Sequence, residues 1–94
     1  MNLDKAQKRI SKRANKGFQG FPQLIITYSG PNDDLATRVD ISFIAEENSA
    51  AQVQTFNTQA EIRSDETIQT TLVKIMDRSE AATVSLTVGV QALN

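Results

Sequence analysis

Six basic side chains lie within the first sixteen residues, and they are the groups in this chain most suited to a chemical role. They are Lys5, Lys8, Arg9, Lys12, Arg13 and Lys16. Asp4 is the one acid in this segment, so its net charge is +5, whereas the other 78 residues hold four basic and ten acidic side chains, a net of −6. Cations at this density can follow a phosphate backbone, because each neutralised phosphate releases counterions. The segment is therefore the candidate site for an anionic partner such as nucleic acid.

The same cations have two other interpretations. They could form a solvated helix face that complements the acidic remainder of this chain or of a second subunit. They could also meet an anionic membrane surface, but only Leu3 and Ile10 would enter the bilayer, and interfacial helices need a larger apolar face. We therefore expect no membrane partner.

Catalytic side chains are scarce. The chain has no histidine and no cysteine, which removes the commonest general bases, nucleophiles and transition-metal ligands. Three acidic pairs could hold a hard cation, but acids in turns and at helix starts are usually solvated or capping. These pairs are Asp33-Asp34, Glu46-Glu47 and Asp65-Glu66. The composition thus predicts a non-enzymatic protein without a cofactor or metal.

A glycine-rich segment, Gly17-Phe18-Gln19-Gly20-Phe21-Pro22, follows the basic residues. A phosphate-binding loop lies after a strand and before a helix, which is the opposite order, so we reject that role. Phe18 and Phe21 could stack on bases or close over the sheet edge. Because a small core needs large apolar side chains, we expect both rings to pack.

Hydrophobic periodicity predicts a helix over 3–16, ended by Gly17. It also predicts a second helix on the stripe Ile68, Leu72, Ile75 and Met76, with Arg78 near its C-terminal end. The start of the second helix has two candidates, the capping-box spacing of Thr58 and Glu61 and the segment Ser64-Asp65-Glu66. Period-two alternation predicts strands at 23–29, 36–45, 52–56 and 83–90. The last of these places Val84, Leu86, Val88 and Val90 on one face.

These elements predict one α+β domain over 1–94, in the order α-β-β-β-α-β. The basic helix at 3–16 precedes a sheet and second helix at 23–90. We expect a mostly antiparallel four-stranded sheet with both helices on one face, because the second helix forms a crossover to the last strand. The other face would be open and polar, built from Thr27, Arg38, Asp40, Ser42, Thr83, Ser85 and Thr87.

No apolar run approaches the roughly 7–15 residues of a signal sequence or the ~20 of a membrane span. Together with the absence of cysteine, this predicts a cytoplasmic protein that is neither exported nor inserted in a membrane.

Two resemblances bear on function. The element order up to residue 78 resembles the double-stranded RNA-binding domain, but Arg63-Ser64-Asp65-Glu66 stands where that family has a lysine-rich helix start that grips phosphate. The run Lys8-Arg9-Ile10-Ser11-Lys12-Arg13 followed by Gly17-Phe18-Gln19-Gly20-Phe21-Pro22 resembles short uncharacterised bacterial proteins. That resemblance implies a bacterial or phage origin and no mechanism.

The sequence leaves two main hypotheses. The first is a non-enzymatic interaction domain that binds an anionic partner through its basic helix. The second is a self-associating protein whose basic helix docks on an acidic surface, or whose edge strand pairs with its copy. Cations directed outward in one row would favour the first. Cations paired with Asp65, Glu66 or Asp77 would weaken it.

Overall fold

Two helices pack on a four-stranded sheet in the computed structural model, which describes residues 1–93. The elements follow the predicted order α-β-β-β-α-β. They are α1 Leu3–Ala14, β1 Gln23–Gly30, β2 Arg38–Ile44, β3 Gln52–Asn57, a 3-10 turn Ile62–Ser64, α2 Glu66–Ser79 and β4 Thr83–Ala92. The molecule measures 33 × 32 × 19 Å, and its short dimension corresponds to one layer of helices on one sheet.

The strand order is β3-β2-β1-β4. β1 pairs antiparallel with β2, and β2 pairs antiparallel with β3, whereas β1 and β4 are parallel because α2 crosses over between them. The predicted fold class, a mostly antiparallel sheet covered by helices, is confirmed. β3 and β4 are the two edge strands.

The core lies between the sheet and the helices. Alternate residues of the central strands face it, Leu24 and Ile26 from β1 and Val39 and Ile41 from β2, as their period-two pattern predicts. The helices contribute Ala6, Ile10, Leu72, Val73 and Met76.

The helix ends differ from the predicted ones by a few residues. α1 ends at Ala14 rather than Lys16, with Asn15 as its cap, and Gly17 follows at a φ of +73°. α2 begins at Glu66, because the Asp65 side chain accepts a hydrogen bond from the Ile68 amide at 2.9 Å. Of the two candidate starts, the one at Ser64-Asp65-Glu66 is therefore correct.

The prediction that β4 alternates regularly is wrong at Val88. Leu86 lies opposite Ile26 and Val90 lies opposite Tyr28, so three residues of β4 face one residue of β1. This bulge turns Val88 to solvent, where it is 91% exposed, and Gly89 supplies the positive φ of +73° that the bulge requires.

Candidate nucleic-acid interface

Helix α1 is docked on the molecule through a narrow apolar stripe. Ala6 and Ile10 are buried, and the helix packs against α2 and β4. Asn2 caps its first turn by accepting a hydrogen bond from the Lys5 amide at 2.8 Å. The Gln7 side chain adds a link by donating to the Arg63 carbonyl at 2.6 Å. The basic segment therefore has a defined orientation.

The two arginines of the predicted site face the protein itself. Arg9 donates two hydrogen bonds to the Asp77 carboxylate of α2, at 2.9 and 3.0 Å. Arg13 donates to the carbonyl oxygen of Ala81, at 2.6 Å. At 100° per residue both lie between the buried stripe and the outer face of α1, within reach of α2 and the segment after it. They contribute to docking the helix.

The four lysines face outward. Lys5, Lys8 and Lys12 lie within about 60° of one another around the helix axis, on the side opposite Ile10. Lys16 follows in the turn that ends the helix. All four are exposed, and Lys8 forms an exposed i,i+4 ion pair with Asp4 at 3.1 Å. We call these four side chains the lysine row.

The structure thus divides the six predicted site residues into two groups. Arg9 meets Asp77, the kind of internal pairing that weakens an anion-binding role for that residue. The lysine row instead has the outward arrangement that favours such a role. Helical spacing places the lysines opposite Ile10 and the arginines beside the buried stripe, but the groups that the arginines meet depend on which neighbours α1 packs against.

The glycine-rich loop at 17–22 differs from the prediction in the exposure of Phe18. The prediction that Phe18 packs into the core is wrong, since its side chain is 62% exposed. The Phe18 and Phe21 rings meet edge to face, with centroids 5.4 Å apart at 75°. Thr83 of β4 fixes this loop. Its hydroxyl accepts a hydrogen bond from the backbone amide of Gln19 at 2.8 Å and donates one to the Gly20 carbonyl at 2.7 Å.

That loop covers part of the sheet face that we predicted to be open. Thr83 is buried beneath it, so its inclusion in the open polar face is wrong. The other predicted residues of that face are half-buried and several pair with one another. Arg38 and Thr55 bind the Asp40 carboxylate at 3.2 and 2.6 Å, and the hydroxyls of Thr27 and Thr87 are 2.9 Å apart.

A groove of about 460 Å³ lies on the helix side of the sheet, between α2 and β3. Its floor is apolar, formed by Leu24, Ile41 and Phe43, and Ile75 lines its wall. Gln54 and Arg78 supply polar atoms at its margin. The acids and hydroxyls of the opposite sheet face do not line this groove.

The three acidic pairs lie apart from one another. Asp65 caps α2, while the pairs Asp33-Asp34 and Glu46-Glu47 lie in exposed turns. Within residues 1–93, no three histidine, cysteine, aspartate or glutamate side chains are grouped as metal ligands would be.

The most perturbed acid is Glu61, which sequence patterns did not single out except as part of a possible capping box. Its carboxylate accepts hydrogen bonds from the Arg63 side chain at 2.6 and 2.8 Å and from the backbone amides of Arg63 and Ala36. The Arg63 guanidinium is the main reason that the pKa of Glu61 falls to about 2. A separate pair, which is buried, joins Tyr28 to Gln69 of α2, and burial raises the pKa of Tyr28. Glu61 and Tyr28 each link parts of the fold that are distant in sequence.

Comparisons with known proteins give no significant match to a family model, a curated protein or a solved structure. In the part of the chain that the structure describes, neither helix has the length and apolar character needed to cross a membrane.

Proposed function

We propose that this protein is a non-enzymatic binding domain whose lysine row binds a polyanion, namely nucleic acid. The observation that supports this most is the docking of α1. Its arginines and apolar stripe hold the helix on the body, and its lysines face outward on one side. A polyanion would contact these lysines without displacing the internal contacts of Arg9 and Arg13.

The spacing of the lysines suits a repeating anion. Lys5 and Lys12 are two helical turns apart, about 10 Å along the axis, and Lys8 lies between them. Their ammonium groups are flexible point charges that can bind phosphate without a fixed geometry. Such contacts give affinity without sequence selection, since phosphate positions carry no base information.

The acidic remainder of the chain would restrict where on the surface a polyanion binds. Its net charge of −6 repels a polyanion elsewhere on the surface, whereas the first sixteen residues attract it. Binding should therefore be confined to the side of the molecule that displays α1. The cytoplasmic and bacterial setting that the sequence suggests is compatible with this function and stays a prediction.

The test is a titration of a short fluorescent oligonucleotide, single-stranded and duplex, at two salt concentrations. Four lysine contacts give an expected slope of log affinity against log salt of about −3 to −4. The variant K12Q/K16Q should weaken binding at low salt by about tenfold or more and reduce the slope by about 1.5 to 2. Asp4→Asn should strengthen binding slightly, because it releases Lys8 from its ion pair.

The matched control is K74Q/R78Q, which removes the same charge from exposed positions of α2. It should leave affinity nearly unchanged. The proposal is wrong if the protein does not bind at low salt, if binding is indifferent to salt, or if the control variant loses as much affinity as K12Q/K16Q.

A second candidate function is self-association, and one observation favours it. The edge strand β3, Gln52-Val53-Gln54-Thr55-Phe56-Asn57, has no charged residue and no proline, and Val53 is 60% exposed. Natural edge strands are usually protected from pairing by such residues. We infer that, if the chain associates with its copy, this edge is the contact. Docking of α1 on a second subunit is less favoured, because Arg9 already has an acidic partner within its own chain.

A further inference from the structure

Phe18 is a large apolar side chain held in solvent by a well-anchored loop. Its ring is 62% exposed, yet the residues that follow it are held by hydrogen bonds. The Gln19 amide donates to Thr83, and the Pro22 carbonyl accepts from the amides of Ala82 and Thr83 at 2.8 and 3.2 Å. A single exposed apolar side chain is common on protein surfaces, so a role for Phe18 depends on how this loop is built and on its position next to the lysine row.

The loop conformation depends on its two glycines. Gly17 has a φ of +73° and Gly20 a φ of +102°, in the region that other residues rarely adopt. A Cβ at either position would meet nothing within 4 Å, so glycine is required by the backbone and not by lack of space. The Phe21 ring then supports Phe18 edge to face. These features together display the Phe18 ring.

The loop that carries Phe18 begins at the end of the lysine row. Phe18 is two residues beyond Lys16, and the Gln19 side chain donates to the Lys16 carbonyl at 2.9 Å, which ties the loop to the end of the helix. A nucleic acid bound at Lys16 would therefore lie next to the loop that carries the Phe18 ring. Cations along the backbone combined with an aromatic surface for bases are the usual elements of single-strand binding.

We propose that Phe18 is a stacking platform for an unpaired base, and that the ligand of the lysine row is single-stranded nucleic acid. This inference rests on the proposed function. Bases in a duplex are stacked on each other, and separating them costs free energy, so a protruding ring gains little from a duplex. Bases of a single strand are accessible, and each base that stacks on an aromatic ring raises the affinity.

The first experiment compares Phe18→Ala and Phe18→Tyr with the wild type. We expect F18A to lower the affinity for a single strand on the order of tenfold, with the salt slope unchanged because the cations are intact. F18Y keeps a stacking ring and should retain most of the affinity. Affinity for the duplex of the same sequence should be weaker in the wild type and unaffected by F18A. Val88→Ala, at another exposed apolar position, is the matched control.

A second experiment uses Phe18→Trp as a reporter, since the chain has no other tryptophan. Its fluorescence should be quenched by a single strand and not by an abasic strand with the same phosphates. Because residue 18 is exposed, the substitutions should not unfold the protein, and urea unfolding of each variant checks this.

The outcomes separate the two proposals. If single strand and duplex bind equally and F18A changes neither, stacking by Phe18 is wrong while the lysine row keeps its role. Quenching by the abasic strand also contradicts stacking. If no oligonucleotide binds at low salt, the proposed function fails and this inference fails with it. A single-strand preference together with loss in F18A supports both.

Discussion

Glu61 joins the segment that follows β1 to the turn that precedes α2. Its carboxylate binds the Ala36 amide at 3.1 Å, while the neighbouring Ile62 amide donates to the Ala36 carbonyl at 2.7 Å. The Arg63 side chain grips the same carboxylate. These charge-assisted hydrogen bonds favour the ionised acid, and they account for a pKa of about 2 against an ordinary value of 4.5.

The substitution Glu61→Gln should therefore lower the free energy of unfolding at neutral pH, by about 1–2 kcal/mol. The pKa of the folded state lies below that of the unfolded state, so the contribution of the carboxylate is fully present above pH 4.5 and is lost as pH falls towards 2. Urea unfolding across this range should show the wild type and E61Q converging at low pH.

Glu47→Gln is the control, because Glu47 is exposed in a turn and its substitution should change stability little at any pH. A difference between wild type and E61Q that stays constant from pH 7 to pH 2 would contradict an ionic role for Glu61. Sequence patterns could not reveal this role. The acid lies near Arg63 in sequence, but its partner Ala36 is 25 residues away and is brought close by the fold.

The same limit explains the division of the basic residues. Their spacing predicts an amphipathic helix, but Arg9 and Asp77 are separated by 68 positions. Helical spacing already places the lysines opposite Ile10, whereas the packing of α1 on α2 determines that Arg9 faces an acid. The residue types and the outer face of the candidate site were therefore predictable, and the internal partners of the arginines were not.

At the scale of elements, regular patterns were predictable and irregular ones were not. β1 and β2 follow their alternation closely because each has one face on the core. In β4 the alternation of valine and leucine continues through the bulge, so it does not reveal that Val88 leaves the sheet face. The only signal was Gly89, since an isolated glycine in a strand often marks a bulge.

The loop at 17–22 is also an element whose shape depends on a distant residue. Thr83→Val keeps the shape of the side chain but leaves the Gln19 amide and Gly20 carbonyl without their hydroxyl partner. We expect a loss of about 1–3 kcal/mol in stability and faster hydrogen exchange at Gln19. If the loop displays Phe18 for stacking, T83V should also weaken single-strand binding.

Thr87→Val is the matched control. Among the side-chain hydrogen bonds of residues 1–93, Thr87 takes part in one, with the Thr27 hydroxyl on the same sheet face. The substitution should leave exchange at Gln19 unchanged. Unchanged exchange in T83V would show that the backbone bonds to Pro22 hold the loop without Thr83, and it would remove Thr83 from the account of how Phe18 is displayed.

For the whole molecule, the separation of charge and the exposed sheet edge predict different effects of salt on self-association. The basic segment and the acidic remainder of two copies attract each other, and that attraction should weaken with salt. Pairing of β3 edges would use backbone hydrogen bonds and apolar contact, which salt does not weaken. β4 is the other edge, but its bulge at Val88 interrupts a regular pairing surface.

Sedimentation across protein concentration at low and high salt distinguishes these modes. If the chain self-associates, we expect the association to persist at high salt and to be abolished by Val53→Lys, which places a charge on the β3 edge. Val88→Lys makes the same charge change at the β4 bulge and should leave association intact. A monomer at every concentration would exclude self-association. Polyanion binding would then be the remaining role for the charge asymmetry. Association lost in high salt but retained in V53K would instead assign it to the basic helix and an acidic surface, because only that contact depends on opposite charges.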